Sequence, residues 1–74
     1  MADVRVTAAF AQAIDLTIEK FSDHFDGKAE QVKRLLHADM TKFEIAAALQ
    51  CAGVKNQSDL AQAILNCARR ILKW

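Results

Sequence analysis

The chain has 74 residues, 53% of them hydrophobic and 26% charged, with no proline, two glycines, two cysteines and a formal net charge of +1. That length points to one domain, spanning 1–74, with a small core. The composition favours packed helices over disorder. Two cysteines exclude a disulfide-stapled secreted scaffold, and no stretch approaches the ~20 apolar residues of a membrane span. No signal peptide is expected, because Asp3 and Arg5 interrupt the first residues. A reducing, cytoplasmic compartment is therefore expected. A domain this short is marginally stable alone, and forming a homodimer is one way to bury more surface. The charge is polarised: residues 1–30 carry three basic and six acidic side chains, whereas residues 31–74 carry seven basic and three acidic.

The first helix is expected over about 7–25. Phe10, Ile14, Ile18, Phe21 and Phe25 recur at spacings that line one face of a 3.6-residue helix, with Asp15, Glu19, Lys20 and Asp23 off that face. Gly27 marks its end or the following turn. The residues before it admit two readings. Val4 and Val6 alternate with Arg5 and Thr7 as in a short strand, one that a dimer could pair, yet Val6 also lies four before Phe10 and extends the helix. A second helix is expected over about 28–38, capped by Asp26. It would turn Val32, Leu35 and Leu36 inward and Glu30, Lys33 and Arg34 to water.

The third helix, about 42–52, is the best punctuated. Thr41-Lys42-Phe43-Glu44 fits a capping box, and Met40 and Ile45 occupy the two positions of a hydrophobic staple. Gly53 suits a left-handed C-terminal turn that folds Val54 back onto Leu49. Apolar residues run nearly all round this helix, as in a helix at the centre of a bundle or at a subunit contact. A fourth helix is expected over about 57–72, capped by Asn56 or Ser58, with Leu60, Ile64, Cys67 and Ile71 as its buried seam. Short connections complete a compact, all-α four-helix bundle.

No catalytic residues are expected. His24 and His37 lie in separate segments without a paired nucleophile, and His24 reads as a solvated helix-end residue. Two Cys and two His without ligand spacing predict neither a metal site nor a cofactor. There is no glycine-rich phosphate loop. Cys67 reads as a small buried hydrophobe and Cys51 as partly exposed.

Binding is the remaining chemistry. Gln62, Asn66, Arg69 and Lys73 are spaced to line one stripe of the fourth helix, with Arg70 beside it and Lys55 upstream. Such side chains hold phosphates or read base edges. They also solvate a helix end and complement its dipole. Residues 44–49 and 58–64 resemble the paired helices of a helix-turn-helix, joined by a connection longer than the usual turn. That resemblance implies a DNA-binding regulator presenting helix 57–72 to the major groove. The pI of 7.8 is lower than such domains usually show. The apolar surplus instead favours a non-catalytic regulator or adaptor that docks on a protein, or on itself as a homodimer. Phe43 and Trp74 would be the anchors, next to Leu72, and Lys55, Arg69, Arg70 and Lys73 would steer the encounter. Neither a membrane partner nor a small-molecule substrate is expected.

Overall fold

In the computed structural model, which describes residues 4–73, the apolar periodicities close into an all-α bundle. Helix α1 spans Val4–Lys20 and is followed by a 3-10 turn at Ser22–Phe25; α2 spans Ala29–Leu35, α3 Lys42–Cys51 and α4 Gln57–Leu72. Trp74 and Asp3 lie outside the described residues. The radius of gyration, 11.1 Å, is that of a tightly folded chain of this length, for which about 11 Å is expected.

The helical reading of residues 4–7 prevails over the strand: α1 begins at Val4, three residues earlier than expected. It also ends earlier. Phe21 leaves helical geometry at φ −114°, ψ 43°, although its amide still donates to the Thr17 carbonyl at 2.9 Å. The chain then tightens into the 3-10 turn, whose three-residue winding carries Phe25 into the core at 2% exposure. Gly27 reverses the chain at φ +72°, a conformation that costs other residues a Cβ clash.

Helix α2 is only seven residues long, shorter than the expected 28–38. Asp26 does not cap it; Lys28 holds the cap position and no side chain bonds there. Leu36 turns extended at ψ 139°. The turn buries Leu36 and leaves Leu35 37% exposed, against the expectation that both face inward. One ion pair, Lys33 to Asp15 at 3.4 Å, links α2 to α1. Both side chains are exposed, so the pair stabilises little.

The ends of α3 follow the expected chemistry. The Glu44 amide donates to Thr41 Oγ1 at 3.2 Å, and the Thr41 amide donates to Glu44 Oε1 at 3.0 Å. These two bonds hold the Glu44 carboxyl below the ordinary value of 4.5; the Thr41 backbone bond contributes most, then its side-chain bond, and nearby His37 lowers it further. At the other end Gly53 sits at φ +80°. Its amide donates to Gln50 and that of Val54 to Leu49, at 3.0 and 2.9 Å. This is the Schellman arrangement, and it brings Val54 and Leu49 into one buried cluster. Lys28 Nζ donates to the Gly53 carbonyl at 2.6 Å, tying the start of α2 to the end of α3.

The centre of the bundle is α4, which packs against both α1 and α3. Of the two expectations for α3, a place at the centre of the bundle is therefore not the one observed. Helix α3 turns Ile45, Leu49 and the following Ala52 inward, and its Ala47 stays exposed. The buried residues of α4 are Leu60, Ala61, Ile64 and Ala68. Its seam is therefore rotated from the expected one: Cys67 and Ile71 are only half-buried. Asn56 occupies the α4 cap position in the left-handed conformation, which asparagine tolerates, but its side chain does not cap the helix. Ser58 lies inside the helix.

Candidate binding surfaces

The expected partner-binding residues fall on two surfaces. Phe43 stands on the outer side of α3 at 82% exposure. Ala47 and Cys51, four and eight residues on, are also exposed, so an uncovered face of α3 carries Phe43, Ala47 and Cys51 together with exposed Gln50. Lys55 is exposed in the connection from α3 to α4. Trp74, the other expected anchor, lies outside the described residues, and Leu72 is half-buried.

On α4, Asn66, Arg69, Arg70 and Lys73 are exposed and Gln62 is half-buried. Gln62 Nε2 donates to Asn66 Oδ1 at 2.9 Å, so these two amides partly satisfy each other. Lys73 closes the helix in a left-handed conformation, its amide donating to the Arg69 and Arg70 carbonyls. Exposed Asp59 lies one turn before Gln62, so the stripe begins with an acid and becomes cationic only toward its C-terminal end.

Packing places Asn66 and Arg70 in a setting that the sequence alone did not reveal. The second halves of α1 and α4 leave an open groove of about 760 Å³ between them, within the range of ligand-binding clefts. Leu16 and Phe21 on the α1 side and Cys67 and Ile71 on the α4 side supply its apolar lining. Glu19 and Lys20 border it from α1, Asn66 and Arg70 from α4. One signal for it existed in the sequence: Leu16 is a large apolar residue off the main stripe of α1.

The Phe21 ring is held at the end of this groove. Lys20 Nζ lies 5.5 Å from its centroid, within cation–π range, and His24 meets it edge-on at 6.1 Å. His24 also lies 3.5 Å from Asn56 Nδ2 through its Nδ1. It is a helix-end residue as expected, in the last turn of the 3-10 segment, but half-buried rather than fully solvated. Cys67 packs against the core only half-buried, as a free thiol that also lines the groove, whereas Cys51 is exposed as expected.

A smaller hollow of about 270 Å³ separates the first half of α1 from the segment after α2; Phe10, Ile14 and Leu36 line it, and Asp15, Lys33 and His37 sit at its edge. Phe43 lines neither cavity. Among the described residues, no three His, Cys, Asp or Glu side chains cluster as metal ligands, and no helix is long and apolar enough to cross a membrane. No protein-family model, curated protein or solved structure matches the chain.

Proposed function

We propose that this chain is a small non-catalytic regulator or adaptor of the cytoplasm that binds a protein, either a different partner or a second copy of itself. The supporting observation is Phe43, which keeps 82% of its surface in water on a domain whose other three phenylalanines are buried or half-buried. Aromatic side chains dominate the energy of protein interfaces, and water gains nothing from a ring left in it. Ala47 and Cys51 extend the same face with small side chains, which let a partner backbone come close. Lys55, Arg69, Arg70 and Lys73 give the C-terminal half a positive field that attracts acidic partners and speeds encounter.

Sedimentation velocity with wild-type protein and Phe43→Ala tests self-association, and affinity capture with the same pair tests other partners. Phe43→Ala is expected to weaken the interaction by about tenfold or more, in keeping with the ~2 kcal/mol of an interface hot spot. Equal association of wild type and variant with every partner and with itself refutes the reading.

The cationic end of α4 supports a rival, a DNA-binding regulator. Recognition helices read base edges mainly with their N-terminal residues, and here those positions hold exposed Ser58 and Asp59. The acid weighs against the rival. Phosphate contact would make affinity fall steeply with salt, so a chain that ignores duplex DNA even at low salt is no DNA reader.

A further inference from the structure

The groove between α1 and α4 has a shape and a charge that select one kind of occupant. We propose that it receives the apolar face of an acidic amphipathic helix from a partner protein. This second docking surface extends the binding role above without depending on Phe43, which is not part of the groove.

Shape is the first argument. The groove has two helical walls and an open top, and Leu16 on its edge remains 43% exposed. A small apolar ligand needs about 70–90% of its surface enclosed, which an open trough does not provide. A helix needs only one face covered, and a third helix settling between two others is ordinary helix packing. The α4 wall runs from Ala63 to Ile71, about 12 Å at ~1.5 Å per residue. That spans roughly two turns of an incoming helix, enough for anchors at i, i+3 or i+4, and i+7.

Charge is the second argument. Lys20 stands on the α1 wall and Arg70 on the α4 wall, so each side of the trough carries a cation. Arg69 and Lys73 lie exposed in the same last turns of α4. Glu19 is the one acid in the lining. Among the described residues, no hydrogen bond or ion pair engages the Arg70 guanidinium. Acidic side chains on both flanks of a docked apolar stripe would meet a cation on each wall, whereas basic flanks would be repelled by Arg70 on the α4 wall and gain only the Glu19 contact beside Lys20 on the α1 wall.

The test uses two labelled helical peptides of about four turns, with the same leucine anchors and either Glu or Lys on the flanks, titrated with the full chain and followed by fluorescence anisotropy. The Glu-flanked peptide is expected to bind, and the Lys-flanked one to bind on the order of tenfold more weakly. The double variant Lys20→Glu/Arg70→Glu, at two exposed positions that leave the core intact, should reverse that order. Phe43→Ala should bind the Glu-flanked peptide as the wild type does. That result separates this surface from the one proposed above, since either can fail while the other stands. Failure of both peptides to bind overturns the proposal, as do equal affinities, a preference that survives the double charge reversal, or binding of dodecanoate in place of either peptide.

Discussion

Replacing phenylalanine by alanine at two positions should have opposite consequences, because burial rather than residue type sets the cost. Phe25 is 2% exposed and belongs to the central apolar cluster, whereas Phe43 is 82% exposed. Truncating a buried phenylalanine removes its transfer free energy and leaves a cavity, together about 3–5 kcal/mol. The whole chain of 74 residues has only about 4–11 kcal/mol of stability at ~0.05–0.15 kcal/mol per residue. Phe25→Ala therefore removes about a quarter or more of it, and at the lower end of that range the chain unfolds without denaturant. Phe43→Ala touches no core, and alanine is the better helix former, so its change should lie within about 0.5 kcal/mol. Urea titrations followed by far-UV circular dichroism, at micromolar concentration, measure both variants on one scale. A Phe43→Ala loss above about 1 kcal/mol, independent of protein concentration, would mean that the ring is buried within the monomer. A Phe25→Ala loss below about 1 kcal/mol would remove the 3-10 turn from the core. If instead the wild-type midpoint rises with concentration and that of Phe43→Ala does not, the ring is covered by a second copy, because association stabilises by mass action.

Two further outcomes test the helix ends. The Glu44 carboxyl is held below its ordinary value of 4.5 by the Thr41 bonds, so its contribution is fully present above that value and is lost as pH falls through the lower folded one. Urea midpoints measured against pH should fall on that acid side for the wild type, and less steeply for Glu44→Gln; parallel curves would refute the link. Gly27→Ala and Gly53→Ala each force a side chain into a positive-φ turn, costing about 1–2 kcal/mol. The added methyl meets open space at Gly27 and only ordinary contact with Lys28, at 3.6 Å, at Gly53. The two losses, read from the same titrations, should therefore be similar, and a Gly53 loss several-fold larger would show that the Lys28 contact is rigid.

What the sequence revealed about the fold was what local chemistry decides. The ends of α3 could be read because a capping box and a Schellman turn are closed by residues three to five apart, and Thr41, Glu44, Gly53 and Val54 need no knowledge of the rest of the chain. The end of α1 was hidden because Phe21 and Phe25 continue the apolar rhythm across the break: both turn toward the core whether the backbone between them is α or 3-10. The end of α2 carries neither proline nor glycine, so nothing local announces that Leu36 turns extended. Alanine hid which helix lies at the centre. It is the best helix former, but its single methyl has little driving force for burial. The same residue type therefore stays exposed as Ala47 and is sealed as Ala61.

The binding surfaces divide along the same line. Phe43 was visible as an apolar residue off the Ile45–Leu49 side, because a helix face follows from spacing alone. The groove was at most hinted at by Leu16, because it belongs to no single helix: it depends on how far α1 slides along α4, which the whole core decides. Its two cations arrive from residues fifty apart, Lys20 and Arg70, and only their meeting across one trough turns a solvated basic helix end into a surface that can choose a partner by charge. A one-turn slip of α1 along α4, about 5.4 Å, would shift Lys20 along the trough relative to Arg70. The register of that helix pair therefore sets which charges face each other across the groove.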